Sequence, residues 1–298
     1  MGKCKQIMKQ ILIPVDFERQ SILAVEQSYN LSKLLHAEIT LLYVHEQSGI
    51  FSGFFSSDLN KDILLKIEEK LLELAGKTAI VTGLNVKTRM ETGRIYSKIL
   101  EVAKEIKADY IFLGTHSSAD GEEESARIGA NSSRVIRSSK CPVVTINGRH
   151  HYNGCRNILL PLDLSKETRQ KVTLAIEIAR LFGSGIKVVS ALWSKNDQEI
   201  VMKLNQQLNQ VQNFIAEVGI ECDAEIIESH DGEKTLVPAI LNFAHKQGDI
   251  DLIVIMTQQE IGFVEYFVGS HAQEFLRLSD IPVLSVVPKE LGFTTIFS

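Results

Sequence analysis

The sequence has no cluster of lysine and arginine. Its 32 basic residues are spread among 37 acidic ones, and the net charge is -5. A surface for a phosphate backbone normally needs a concentrated basic patch, so nucleic acid is excluded as a partner. Cysteine is equally sparse: Cys4, Cys141, Cys155 and Cys222 form no C-x-x-C pair and follow no signal peptide. That pattern predicts reduced thiols in the cytoplasm and no structural disulfide. The longest apolar runs are strand-sized, far short of the roughly 20 residues that cross a bilayer, so no membrane partner is expected. The opening "MGKCKQ" carries Gln6 where an N-myristoylation signal has Ser or Thr. Also missing, at the ligand-binding ends of the strands, are a Walker lysine, an HExxH pair, two carboxylates on one helix face, and a nucleophile spaced from a base. We therefore expect no catalytic residue and no metal ligand. His150 and His151, being adjacent, do not point at one ion, and a site joining them to His116 or His230 is disfavoured.

What the sequence does contain is said twice. Ile11 to Asp16, "ILIPVD", aligns with Ile158 to Asp163, "ILLPLD". "ADYIFLGT" aligns with "IDLIVIMT", and "SSKCPVVTI" with "LSDIPVLSV". A repeat of about 145 residues has the size of a domain, not of a solenoid unit. Two copies of one fold are expected, over 1–148 and 154–298, joined by the polar stretch "NGRHHYN". Each copy alternates short β-rich runs with helix-period segments. Strands are predicted over Ile11–Val15, Ile39–Val44, Asn85–Met90, Tyr110–Leu113 and Val143–Ile146, then over Ile158–Leu162, Ile186–Leu192, Asp223–Ile227, Leu252–Ile255 and Val283–Val287. Val172, Ala175, Ile176 and Ala179, at i, i+3, i+4 and i+7, mark one helix face; Val237, Ile240, Leu241 and Ala244 mark another. Nearly all-apolar strands alternating with helices predict a parallel sheet covered on both faces, an α/β fold. Ligands of such sheets bind outside the carboxyl ends of the strands, where strand order reverses. Pro14, Asp16, Gly114 and Gly129 fall there in the first copy, and Pro161, Asp163, Met256, Gly269 and Ser270 in the second.

With a strand ending in Pro-x-Asp, with "DYIFLGTH", and with Gly269-Ser270 followed by a short helix and "IPVLSV", the whole chain resembles the universal stress protein family in its tandem form. The resemblance implies two Rossmann-like, adenine-nucleotide alpha hydrolase-like repeats, each a five-stranded parallel sheet sandwiched by helices, paired through their last strands as an internal pseudo-dimer. It also implies a Gly-x2-Gly-x9-Gly-(Ser/Thr) motif in those members that bind ATP. In the second copy Met256 and Gln259 occupy the first two glycine positions, while Gly269 and Ser270 keep the last two. In the first copy Gly114 keeps the first, Ser117 replaces the second, two residues are added before Gly129, and Ala130 replaces the hydroxyl residue. Glycine in such a turn lets backbone N–H groups approach a polyphosphate and permits φ > 0. The loop before Gly129 carries Asp120, Glu122, Glu123 and Glu124 against Arg127, which opposes a triphosphate unless Mg²⁺ bridges it. Ser270 also suits the N-cap of the helix "HAQEFLRLS", supported by Glu274 from its first turn. Asp16 and Asp163 suit either a ligand contact or a local helix cap.

The expectation is a binding or regulatory protein of the stress response with degenerate nucleotide sites and no firmly implied cofactor. Its rivals are an ATP-binding protein with Mg²⁺ and weak hydrolysis through the first copy, and a sensor of another small molecule. Cys141, matched by Ile281, and Trp193, just past the second strand of its copy, read as packing and as a lid. The apolar end, with Leu291, Phe293, Ile296 and Phe297, suggests a homo-oligomer or a protein partner.

Overall fold

The computed structural model describes residues 8–46, 57–115, 128–148, 154–162, 168–193, 198–229, 235–257 and 270–287. The first half runs β1 (Gln10–Pro14), α1 (Arg19–Leu35), β2 (Glu38–His45), α2 (Ser57–Thr82), β3 (Val86–Thr92), α3 (Ile95–Glu105), β4 (Tyr110–Gly114), α4 (Ala130–Ser138) and β5 (Val143–Ile146). The second runs β6 (Asn157–Pro161), α5 (Thr168–Phe182), β7 (Gly185–Leu192), α6 (Gln198–Glu217), β8 (Cys222–Glu228), α7 (Val237–Gln247), β9 (Ile250–Met256), α8 (Ser270–Leu278) and β10 (Val283–Val286). All ten expected strands are present. The apolar tail, His116, His150, His151 and His230 lie outside the described residues, as does most of the "NGRHHYN" linker.

The strands form one ten-stranded sheet in the order β3-β2-β1-β4-β5-β10-β9-β6-β7-β8. Neighbours are parallel within each half, and β5 meets β10 antiparallel, Val144 opposite Leu284. The halves therefore pair through their last strands, as the resemblance implies. Two matching side-chain bonds flank the centre: the Thr145 hydroxyl donates to the Val283 carbonyl and the Ser285 hydroxyl to the Val143 carbonyl, both at 3.1 Å. Asn147 and Gly148, on the linker side of β5, are docked on the second half. The Asn147 amide donates to the Arg277 carbonyl at the end of α8, 3.1 Å away, and a Cβ on Gly148 would lie 3.2 Å from Asp280 Cβ.

The pleat assigns the core. Ile11 and Ile13 point to the layer of α1, α2, α5 and α6, and Leu12 to the layer of α3, α4, α7 and α8; Phe112 and Leu113 divide likewise. Each layer is continuous across the halves, so the two copies share one core on each face. Where α1 and α5 meet, Leu31, Phe112, Val144, Ile178, Leu252 and Leu284 surround an apolar cavity of about 40 Å³.

Each half ties the start of its first strand to the start of its fourth by an aspartate. In the first, Asp109 accepts from the Gln10 main-chain N–H and from Lys9, each at 2.8 Å. In the second, Asp251 accepts from the Arg156 main-chain N–H at 2.7 Å and from its guanidinium at 2.9 Å on each oxygen. The second tie is the more buried one, with the Asp251 side chain 2% exposed against 26% for Asp109.

Candidate functional site

In each half the strand order places the reversal between the first and fourth strands, β1 and β4 or β6 and β9. At this point in the first half there is a cavity of about 530 Å³, large enough for a drug-sized molecule. Pro14, Val15 and Asp16 at the end of β1, Gly114 and Thr115 at the end of β4, and Gly129 to Ser132 at the start of α4 border it. The structure thus brings together four of the residues singled out in the first copy: Pro14, Asp16, Gly114 and Gly129. The end of β2, Leu42 to Glu46, and Ile95 and Ile99 of α3 complete the wall. Motif reading missed Tyr43, His45 and Glu46, although the end of β2 lies on the same sheet edge as the motif residues. Asp163 and Gly269 lie outside the described residues, as do Ser117, Asp120, Glu122, Glu123, Glu124 and Arg127.

Of the two surviving glycines, Gly114 is explained by packing. Neither has a left-handed backbone, so the φ > 0 argument fails for both. A Cβ on Gly114 would lie 2.7 Å from the Gln20 carbonyl carbon and 2.9 Å from the Gln20 oxygen and the Ser21 nitrogen. Those are main-chain atoms of the first turn of α1, so only glycine lets β4 end beneath that helix. Gly129 precedes α4, its N–H donates to the Thr115 carbonyl at 2.9 Å, and the Ser132 hydroxyl donates to the Gly114 carbonyl at 3.1 Å. Protein groups therefore close the turn here. The turn's first residue behaves alike in both halves: Thr115 donates its amide and hydroxyl to the Ile146 carbonyl, and Thr257 donates its own to Val286.

Asp16 caps locally. It accepts from the Glu18 N–H at 2.9 Å, while its own N–H reaches the Ser21 hydroxyl at 3.3 Å. Between them Phe17 is left-handed at φ 67, a conformation that costs a non-glycine residue roughly 1–2 kcal/mol. Strain of this kind collects where a binding site dictates the backbone. The Phe17 ring packs 6.0 Å from that of Tyr43. Burial, and after it the charge of Asp16, pushes the Tyr43 phenol above its ordinary pKa, so it stays protonated as a donor. Among the described lining residues there is no lysine or arginine; the ionisable ones are Asp16, Tyr43, His45 and Glu46.

In the second half α8 begins at Ser270, but the Ser270 side chain and Gly269 before it, on which the expected cap falls, lie outside the described residues. Glu274, placed in the first turn by the sequence, is engaged elsewhere. It accepts a hydrogen bond from the Thr235 hydroxyl and lies 3.7 Å from Arg277.

Reactive thiols are not built into the described residues. Burial pushes the Cys155 and Cys222 thiols up to about 12, with the charges of Asp251 and Asp223 adding to it. Burial also raises Cys141, whose carbonyl accepts from the Ser139 hydroxyl at 2.7 Å. At pH 8 we expect Cys155 and Cys222 to alkylate on the order of a hundredfold more slowly than an ordinary thiol, read by peptide mass after timed iodoacetamide exposure. Ordinary rates at either would show that its thiolate is stabilised. Among the described residues no group of His, Cys, Asp and Glu could hold a metal ion, and no described helix is long and apolar enough to cross a membrane.

The family model for the universal stress protein family matches residues 8–147 and 154–287. A universal stress protein of Methanocaldococcus jannaschii is 30% identical over 145 residues, 48% of this chain and 84% of its own length. A second, from Synechocystis, is 28% identical over 143 residues, 47% of this chain and 86% of its own. The crystal structure of a universal stress protein from Archaeoglobus fulgidus superposes with a TM-score of 0.75 at 19% identity, covering 94% of this chain and 97% of that one. A Pseudomonas aeruginosa structure described as functionally unknown gives 0.64 at 17%, covering 95% and 94%.

Proposed function

The chain belongs to the universal stress protein family, and on that premise we propose that it is a binding and regulatory protein of the stress response without robust catalysis, in which neither half holds ATP in the manner of the family's nucleotide binders. One observation carries the reading: no described residue lining the first cavity is a lysine or arginine, while Asp16 and Glu46 stand on its wall. A triphosphate would bring several negative charges beside two carboxylates with no side-chain cation to offset them. The steric role of Gly114 supports the same view, because its retention needs no phosphate. The cavity suits an uncharged small molecule bound against Val15, Leu42, Val44, Ile95 and Ile99. The setting is the cytoplasm, and the partners are such a ligand together with a second copy of the chain or another protein.

Titrating the nucleotide-stripped protein with MgATP, MgADP and AMP in a calorimeter should give no heat up to millimolar ligand, where binding free energies fall to about 4 kcal/mol. A second reading, ATP with Mg²⁺ and slow hydrolysis in the first half, is favoured by the start of α4 opening onto the cavity beside Gly129. Micromolar MgATP binding that Gly129→Val abolishes would establish it and sink the first.

A further inference from the structure

Helix α2 carries apolar residues on a side that the fold leaves bare. Leu71, Ala75, Thr78 and Thr82 are buried, whereas Leu65, Leu72 and Ile80 stand 57%, 54% and 85% exposed. With Glu69 and Gly76 these three fall on one line at i, i+4, i+7, i+11 and i+15, about 22 Å long at 1.5 Å per residue. Gly76 is the telling residue. It lies within the helix without a left-handed backbone, and a Cβ there would meet nothing within 4 Å. Glycine weakens a helix relative to alanine, and neither the backbone nor the packing of this fold calls for one at 76. What an exposed glycine between Leu72 and Ile80 does provide is room for another main chain to come close. The second half shows that the line is no requirement of the fold. Both α2 and α6 run into a left-handed glycine, Gly83 and Gly219, but on the exposed side of α6 Asn209, Asn213 and Glu217 stand at the spacing of Leu72, Gly76 and Ile80.

We infer that α2 is the surface on which a second copy of the chain docks, the two α2 helices crossing antiparallel at Gly76 about a twofold axis. The last strands pair the two halves at the centre of the sheet, so a further copy needs another surface. A crossing at Gly76 sets Leu72 of one protomer against the partner's Ile80, and the reverse. It also makes the flanking charges self-complementary. Glu73 and Lys77, one turn apart and paired at 2.7 Å within the helix, each come opposite the other's charge across the axis. A contact of this kind closes at two copies. The inference rests on the second copy named above as a partner and not on what the first cavity binds, so failure of the ligand reading leaves it standing.

Sedimentation velocity of the full chain from about 1 to 100 µM should show monomer and dimer in concentration-dependent exchange. Gly76→Gln should weaken the dimer about tenfold or more while leaving the melting temperature of the dilute, monomeric protein unchanged or higher, since glutamine is the better helix former and has open space there. Ile80→Lys, at an exposed position, should weaken the dimer to a similar degree. Monomer throughout the range, whether another protein or the chain's own apolar end covers α2 instead, overturns the proposal. A dimer that Gly76→Gln and Ile80→Lys leave untouched overturns it as well, because the contact then lies elsewhere.

Discussion

Replacing Gly114 with valine should destabilise the protein by about 4 kcal/mol, more than most single substitutions do. The atoms that a new Cβ would meet, at 2.7 to 2.9 Å, belong to the main chain of Gln20 and Ser21. A main chain at the start of a helix cannot step aside as a side-chain tip can, so α1 or the end of β4 must move. Gly185 is the control. Its Cβ would collide with the side-chain oxygen of Asn157, and that amide can rotate away. Gly185→Ala should therefore cost about 1 kcal/mol, most of it from losing the Asn157 bond to Asp249. Urea unfolding of both variants checks the contrast. A cost at Gly114 no greater than at Gly185 would mean that the helix yields freely. In that case the glycine would have to be explained by a ligand after all.

That prediction turns on a distinction that the sequence does not carry. A glycine kept for left-handed backbone, one kept for a phosphate and one kept because a helix lies against it are the same letter. The strands were legible because Ile11, Leu12 and Ile13 are apolar on both faces of a pleat, which only a doubly covered sheet explains. Pairing through β5 and β10 followed from the family resemblance and not from the residues Val143 to Ile146 themselves. The cavity was half legible: Pro14, Asp16, Gly114 and Gly129 sit on one edge as expected, while Tyr43, His45 and Glu46 close a strand whose pattern looks purely structural.

Asp251→Ala should cost about 3 kcal/mol, and its counterpart Asp109→Ala about 1 kcal/mol. Removing Asp251 takes the partner from three donors of Arg156, two of them on a bidentate guanidinium. Breaking a buried pair from one side costs about 3–5 kcal/mol when the abandoned charge stays buried. The Arg156 side chain is 49% exposed and can rehydrate, which brings the figure to the low end of that range, while its main-chain N–H loses its acceptor as well. Lys9 is 50% exposed and makes a single bond to a partly exposed carboxylate, the setting in which an ion pair contributes about 0–1 kcal/mol. What Asp109→Ala loses is then chiefly the acceptor for Gln10 N–H. Because β5 and β10 join the halves in one sheet, the two costs can be compared in one unfolding experiment on the full chain. Equal costs would mean that the main-chain bond common to both ties carries the stability and that the guanidinium's pairing with the buried Asp251 adds nothing. A larger loss at Asp251 alone would place the greater stabilising role of these ties in the second half.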